Sequence, residues 1–364
     1  MSTEIIAVPA YLQGSYFPSL DGLRGLAILM VILPHFGALH FLKGTGIFID
    51  SIIGVHIFFV LSGFLITTLL LKEKLRTGKI SLSHFYLRRI LRIVPVVYLF
   101  LVVLIILNTC YGLHIPLIDF VASFLFFKNF PLRNEPYTAH LWTLAVEAQF
   151  YITFPLLLSY SVNKYFITAL SIVIVVPVVA ILGDYHTGFL FAGPAITFFT
   201  KLMMYAFWKG PVIILIGSVF AILTFKNIIK PISSKAGFFL GFILLVIAIV
   251  IHTKTFLFYS KYVSEYISAI LIAWAIVMSA NAKSLLSIVL QNRALVRIGI
   301  ISYSLYVWQE LFIGTNTWQP WMMALNGYPA YVIVLVKLAA TFAIAFASYY
   351  LFESKFLKLK KKFG

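Results

Sequence analysis

Ionisable side chains inside long apolar stretches are the residues of this sequence whose types and spacing could do chemistry. The stretch SLDGLRGLAILMVILPHF (19–36) contains Asp21, Arg24 and His35, and such groups are costly in hydrocarbon unless they face a cavity or a partner. Arg24 and His35 are separated by close to three helical turns, so a helix would place both on one face, about 16 Å apart. We therefore predict a polar face on the first helix, with Arg24 at its cytoplasmic start and His35 past mid-membrane.

Glu147 is a second candidate, within HLWTLAVEAQFYITFP (140–155). Trp142 is typical of a membrane interface, and Glu147 would lie at a depth close to that of His35. A carboxylate beside an imidazole fixes its tautomer and stabilises its protonated form, which a general base requires. We therefore predict that Glu147 orients His35 or balances its charge. The alternative is a hydrogen bond that only packs two helices together.

Three arginines crowd the expected cytoplasmic start of the third span, in SHFYLRRILRIVP (83–95). Arg88 and Arg89 precede Arg92 by four and three residues, so a helix places both on the same side as Arg92. Guanidinium groups near a helix N-terminus suit phosphate oxygens, although basic residues are also usual at cytoplasmic loops. The cluster predicts a phosphate site.

A further stretch, GVHIFFVLSGFLIT (54–67), places His56 and Ser62 inside the second predicted span. Small residues such as Ser62 usually indicate close helix packing in membranes. His56 could lie at a depth close to that of His35, so it is kept as a candidate supporting residue.

The elements that must position these residues are membrane helices. The 364 residues are 62% hydrophobic and 11% charged, with a net charge of +17, whereas soluble domains are about 25% charged; the mean hydropathy is +1.02. The basic residues lie in short gaps between apolar runs, which indicates cytoplasmic loops rather than a nucleic-acid-binding surface. The single cysteine, Cys110, excludes an intramolecular disulfide and a cysteine-based zinc site, and we expect no metal.

We predict an all-α polytopic membrane bundle of about ten transmembrane helices, forming a single domain (1–364) without an appended soluble domain. A shorter stretch, 115–130, carries Asp119 and is predicted to be re-entrant or interfacial. With ten spans both termini lie on one side, and most of the 28 Lys and Arg residues then fall in cytoplasmic segments if that side is the cytoplasm. The predicted spans are 22–42, 47–71, 90–110, 141–160, 165–183, 207–225, 236–252, 263–281, 298–314 and 330–352.

Taken together, the motifs resemble acyltransferase family 3, integral-membrane acyltransferases that modify sugars and other acceptors. The resemblance runs from residue 20 to about 356, and five stretches in family order carry it. The matching stretches are LDGLRGLAILMVILPH, GVHIFFVLSGFLIT, FYLRRILRIVP, LWTLAVEAQFY and IGIISYSLYVWQELF, the last with Tyr303 and Tyr306, and more weakly SYYLFESKF around Glu353.

This resemblance implies transfer of an acyl group from cytoplasmic acyl-CoA to an acceptor on the far side of the membrane. It implies that His35 is the catalytic group, that Arg89 and Arg92 hold the CoA phosphates, and that Glu147 is the family's glutamate. The chain departs from the family pattern twice. His56 stands where many members have an acidic residue, and Gln309 stands where many have histidine, so no second catalytic histidine is assigned at that position.

The preferred interpretation is a membrane-bound O-acyltransferase with acetyl-CoA as donor. The acceptor is expected to be a cell-envelope glycan or lipid-linked sugar, such as a lipopolysaccharide O-antigen or an exopolysaccharide. We expect the bacterial cytoplasmic (inner) membrane with both termini cytoplasmic, contacts with membrane lipids, and no nucleic acid. A transporter or flippase that uses the same ionisable residues is the main alternative, although such proteins often contain internal repeats and none is evident here. A membrane scaffold with buried polar packing is the other alternative.

Overall fold

The computed structural model describes residues 7–14, 16–39, 49–130, 136–184, 188–207, 210–232, 234–252, 261–280, 283–313 and 319–360. Across these residues the regular secondary structure is helical, and no strand occurs among them. Parts of five predicted spans (40–42, 47–48, 208–209, 281 and 314) lie outside the described residues. The all-α prediction is confirmed for the described part of the chain.

The helices follow the apolar stretches of the sequence. In chain order they are α1 (Pro18–His35), α2 (Ile52–Thr77), α3 (Leu82–Tyr111), α4 (Leu117–Phe124), α5 (Leu141–Tyr160), α6 (Val162–Asp184), α7 (Pro194–Leu202), α8 (Pro211–Phe225), α9 (Lys235–His252), α10 (Lys261–Ser279), α11 (Leu285–Leu290), α12 (Arg293–Ile300), α13 (Ser302–Trp308), α14 (Ala330–Ala347) and α15 (Ser354–Lys360). A 3₁₀ turn (Gln309–Phe312) continues α13, and a π-helical turn (Ser348–Glu353) continues α14.

Seven helices in the described ranges are long and apolar enough to cross a membrane, namely α2, α3, α5, α6, α9, α10 and α14. The predicted count of about ten spans is not confirmed. Two of the missing helices, α1 and α8, are apolar but fall short: α1 has 18 residues with Asp21, Arg24 and His35 among them, and α8 has 15 residues. The third, predicted at 298–314, is divided between α12, α13 and the 3₁₀ turn that follows.

The stretch predicted to be re-entrant or interfacial contains the short helix α4. Its eight residues span about 12 Å, which is too short to cross about 30 Å of hydrocarbon. Asp119 in α4 is fully buried and forms an ion pair with Lys128. This pair closes the turn after α4, so the charge that marked the stretch in the sequence is neutralised within the protein.

Glycines let the central helices approach each other closely. A Cβ atom added to Gly63 of α2 would overlap the carbonyl oxygen of Ile214 in α8, and one added to Gly217 would overlap that of Val60. Gly22 and Gly25 likewise bring α1 against the backbone of α11 and α12. Small residues are the usual means by which membrane helices reach such contact.

Hydroxyl groups add to this packing. Thr67 of α2 lies 2.7 Å from the Ser218 hydroxyl of α8, which in turn lies 2.8 Å from the hydroxyl of Tyr165 in α6. These hydrogen bonds connect three helices in the buried centre of the bundle. Together with the glycine contacts they fix α2, which carries part of the candidate site.

We expect Gly63→Ala to destabilise the bundle, because the added methyl group must push α2 and α8 apart. Overpacking of this kind costs about 1–3 kcal/mol in soluble proteins, so thermal unfolding in detergent should show a lower midpoint than wild type. Gly193→Ala is the matched control, since an added Cβ there meets no described heavy atom within 4 Å and its φ of −169° suits any residue. Equal midpoints for the two variants would contradict the backbone contact.

Candidate active site

Most of the predicted site residues line one cavity between α1, α2, α3, α5 and α13. Its volume is about 150 Å³, smaller than the range of about 300–1,000 Å³ that is typical of sites that enclose a whole small molecule. We call it the arginine cavity. The predicted site residues that line it are Arg24, Ser62, Arg89, Arg92, Glu147, Tyr303 and Tyr306.

The cavity concentrates positive charge. Arg24 forms an ion pair with Asp21, with 2.5 Å between Nη1 and Oδ1, whereas Arg89 and Arg92 form no ion pair among the described residues. The charges of Arg24 and Arg92 also repel each other. Arg89 and Arg92 are partly buried, and since it is costly to remove an unpaired charge from water, this arrangement favours an anionic ligand.

Aromatic rings hold Arg89 in place. Its guanidinium carbon lies 5.4 Å from the ring centroid of Phe85 and 5.5 Å from that of Tyr151. Cation–π contacts of this kind orient a guanidinium without using its hydrogen-bond donors, and the Nε atom of Arg89 is buried with no hydrogen-bond partner in the described part of the chain. Its donors therefore remain available to a ligand.

Arg88 is separated from the other two arginines of the cluster. Its Nη2 atom lies 3.3 Å from Oε2 of Glu73, and it does not line the arginine cavity. Neighbouring helical residues point about 100° apart, so Arg88 and Arg89 diverge even though each is within one turn of Arg92. The structure thus brings together Arg89, Arg92 and Arg24 instead of Arg88, Arg89 and Arg92.

Glu147 faces α2 and its own helix. One carboxylate oxygen, Oε1, accepts hydrogen bonds from the hydroxyls of Ser62 and Tyr151, and the negative charge acts on Arg89. None of these interactions of Glu147 involves His35. Glu147 therefore balances the arginines and fixes Tyr151, which is a different position from the predicted one beside the imidazole.

His35 is the last residue of α1 and lies outside the arginine cavity, partly exposed. Its Nδ1 atom is 3.2 Å from Oε1 of Gln309, in the 3₁₀ turn after α13. An amide oxygen can only accept a hydrogen bond, so this contact keeps the proton on Nδ1 and leaves the lone pair of Nε2 free. An imidazole in this tautomer can act as a base or as a nucleophile.

Tyr306 connects the arginine cavity to the surroundings of His35. Its hydroxyl lies 2.7 Å from that of Thr143 and donates to the carbonyl oxygen of His140 at 3.0 Å. Tyr306 and Thr143 both line the cavity, and Gln309 follows Tyr306 by one helical turn. The side chains that line the cavity and the residue that contacts His35 therefore lie next to each other on α13 and the turn that follows it.

A buried histidine and carboxylate lie next to Gln309. The Nδ1 atom of His140 is 3.4 Å from Oε2 of Glu310, and both side chains are 3% exposed. The charge of His35 acts on His140, which places the two rings in one neighbourhood. His140 was not among the residues predicted from the sequence; its spacing of two helical turns from Glu147 was the signal that could have identified it.

The other candidate residues occupy different places. His56 packs against His252, with 5.1 Å between ring centroids, and lies away from the cavity lining. Trp142 packs edge-on against Phe59 at 6.0 Å, and Tyr303 donates to the carbonyl oxygen of Ile93 at 2.8 Å. Within the described ranges no group of three or more His, Cys, Asp or Glu residues could hold a metal ion.

Comparisons with known proteins agree with the motifs. The family described as an acyltransferase domain matches residues 17–350. The chain is 28% identical over 376 residues to the O-acetyltransferase OatA of Staphylococcus aureus strain NCTC 8325, covering 94% of this chain and 57% of that protein. The same values hold for the O-acetyltransferase OatA of strain COL. The chain thus spans little more than half the length of these relatives.

No solved structure matches the chain at a significant level. The family match covers nearly all of the described helices, including every one that lines the arginine cavity. The several apolar helices and this family match identify an integral membrane protein. The chain belongs to acyltransferase family 3, whose acyltransferase domain it carries.

Proposed function

We propose that this chain is a membrane-bound O-acetyltransferase, which moves an acetyl group from cytoplasmic acetyl-CoA to a hydroxyl group of a cell-envelope glycan. The observation that carries the proposal is the arginine cavity, in which Arg89 and Arg92 form no ion pair among the described residues. Guanidinium groups pair strongly with phosphate oxygens, and CoA brings phosphates and the acyl group together. Membership of the family supports an acyl donor.

The proposed topology has ten spans, with both termini on the cytoplasmic side of a bacterial inner membrane. The distribution of basic residues supports this orientation. It would bring the start of α3, with Arg89 and Arg92, close to the cytoplasm, where acyl-CoA is available. The pantetheine arm would then run along α1 from Arg24 toward His35 and pass Tyr306.

The proposed chemistry is acyl transfer from a thioester to an alcohol. The acceptor oxygen forms a bond to the acyl carbon, the bond between that carbon and the CoA sulfur breaks, and the hydroxyl proton ends on the released thiol. His35 supplies its Nε2 lone pair, either as the base for the hydroxyl or as the carrier of the acyl group. Gln309 supports both roles, since it holds the proton on Nδ1.

The proposed acceptor is a cell-envelope glycan or a lipid-linked sugar, for example a lipopolysaccharide O-antigen or an exopolysaccharide. The resemblance of the motifs to acyltransferases that modify sugars supports this class of acceptor. The name O-acetyltransferase carried by the OatA proteins supports an acetyl group as the one transferred and oxygen as the atom acylated.

Membrane vesicles from the source organism provide the test. Acetyl-CoA labelled in the acetyl group is added to inside-out and to right-side-out vesicles, and label bound covalently to the glycan fraction is measured. We expect incorporation in inside-out vesicles that contain the protein, and little in right-side-out vesicles, because the donor does not cross the membrane. Vesicles from a strain that lacks the protein are the control.

Two results would contradict the proposal. Equal incorporation of label with and without the protein would show that the protein does not transfer the acetyl group. Accumulation of a free labelled solute inside the vesicles, without covalent label on glycan, would favour the transporter alternative.

A further inference from the structure

His140 and Glu310 form a buried polar pair that the proposed chemistry has not used so far. The Nδ1 atom of His140 lies 3.4 Å from Oε2 of Glu310 without forming a hydrogen bond, and its Nε2 atom also has no hydrogen-bond partner among the described residues. The ring of Phe100 packs edge-on against His140 at 5.3 Å, and that of Tyr306 lies at 5.7 Å. An imidazole held among aromatic rings with a free nitrogen is a costly arrangement for packing alone.

The pair is connected to His35 through consecutive residues. Gln309 contacts the Nδ1 atom of His35, and the next residue, Glu310, contacts His140. The backbone N–H of His140 also acts electrostatically on the carboxylate of Glu310. The two histidines are therefore held by one 3₁₀ turn, so that their relative position is fixed.

We propose that His140, supported by Glu310, takes the proton from the acceptor hydroxyl while His35 carries the acyl group; this inference rests on the proposed function. An acylated His35 has lost the lone pair that a base needs, so a second base is required for the step that follows. A covalent carrier splits the transfer into two steps, and a positioned base can take the hydroxyl proton in the second of them.

The proposed transfer has two steps. The Nε2 atom of His35 attacks the thioester carbon, the C–S bond breaks, and CoA leaves as the thiolate while His35 becomes an N-acyl imidazolium. His140 then takes the hydroxyl proton as the acceptor oxygen bonds to the acyl carbon, and the bond to His35 breaks. The proton on His140 is finally transferred, through water, to the CoA thiolate, and Glu310 stabilises the imidazolium in between.

Separate assays of the two half-reactions test this inference. The first is exchange of label between acetyl-CoA and free CoA, catalysed by the purified full chain in lipid nanodiscs without acceptor. The second is transfer of labelled acetyl to glycan in membrane vesicles. We expect His140→Gln to lower transfer by about 100-fold or more, as for loss of a general base, and to leave exchange within about twofold of wild type.

His35→Gln should abolish both reactions, and Glu310→Gln should reproduce the pattern of His140→Gln with a smaller loss of transfer, about tenfold. His252→Gln is the matched control, because His252 is also a buried histidine whose two ring nitrogens have no hydrogen-bond partner in the described residues; it should leave both reactions unchanged. Size-exclusion profiles show whether each variant is folded. If His140→Gln fails to fold, the isosteric Glu310→Gln decides the question.

Three results would overturn the inference: normal transfer by a folded His140→Gln variant, equal loss of exchange and transfer in that variant, or absence of exchange in a wild-type protein that does transfer. The last result would be compatible with the proposed function, but the acetyl group would then pass from acetyl-CoA to the hydroxyl without an acyl-His35 intermediate. A wild-type protein that neither exchanges nor transfers acetyl groups would instead contradict the proposed function itself.

Discussion

His35→Gln is expected to lower acetyl transfer by about 1,000-fold or more, since general-base and covalent contributions are typically of this order. Glutamine offers no nitrogen lone pair that can take a proton or an acyl group. Its amide can still contact Gln309, so the end of α1 should remain in place. The KM for acetyl-CoA should change little, because His35 lies outside the arginine cavity. Initial rates of label incorporation into glycan, at matched protein levels, measure both quantities.

Gln309→His is an informative companion to this variant. It places at 309 the residue type that the family resemblance leads one to expect, and it keeps a side chain that can contact Nδ1 of His35. We expect it to retain substantial transfer, in contrast to His35→Gln. If instead His35→Gln transferred acetyl groups at the wild-type rate, His35 would have no role in the chemistry, and His140 would be the next histidine to examine.

The spacing of Arg24 and His35 predicted their helix but not their surroundings. Both lie on α1, as the apolar pattern indicated, with Arg24 near its beginning and His35 at its end. Spacing on one helix shows which residues share a face, whereas the helices that cover that face are set by tertiary packing. Here Arg24 meets α3 and α5 in the arginine cavity, and His35 meets the turn after α13 instead.

The partners of Glu147 depend on contacts far apart in the chain. Depth in the membrane suggested His35, yet the carboxylate bonds Ser62, which lies on α2. The position of α2 depends on backbone contact at Gly63 and Gly217. A glycine in an apolar stretch indicates close packing, but it does not indicate which helix comes close. The depth of a residue in the membrane is therefore not enough to predict which side chains it contacts.

The broken helix at 298–312 shows a limit of hydropathy patterns. The stretch is apolar enough to suggest one span, but α12 ends at Ile300 and α13 begins at Ser302, before a 3₁₀ turn carries Gln309 and Glu310. An average over the whole stretch does not mark these breaks, although two polar residues, Gln309 and Glu310, stand at the second one. The breaks nevertheless determine that Gln309 meets His35 and that Glu310 meets His140.

Arg89→Ala is expected to raise the KM for acetyl-CoA by about 10–100-fold, which corresponds to loss of a charge-assisted hydrogen bond worth about 1.5–3 kcal/mol. Transfer at saturating donor should fall much less, because Arg89 would bind the phosphates rather than the reacting thioester. Arg88→Ala provides the comparison, since Arg88 pairs with Glu73 away from the cavity; its effect on the KM should be several-fold smaller. Initial rates over a range of acetyl-CoA concentrations give both values.

A truncated donor shows whether Arg89→Ala weakens phosphate binding or disturbs the structure of the site. S-Acetylpantetheine carries the same thioester as acetyl-CoA but no phosphate, so the wild-type protein should prefer acetyl-CoA strongly. Arg89→Ala should narrow this preference, because it removes a contact that only the longer donor can make. A variant that is merely disordered around Phe85 and Tyr151, the rings that hold Arg89, would use both donors less well and keep their ratio. An unchanged ratio would therefore place the CoA phosphates elsewhere, while a narrowed one would identify the cavity arginines as the donor site.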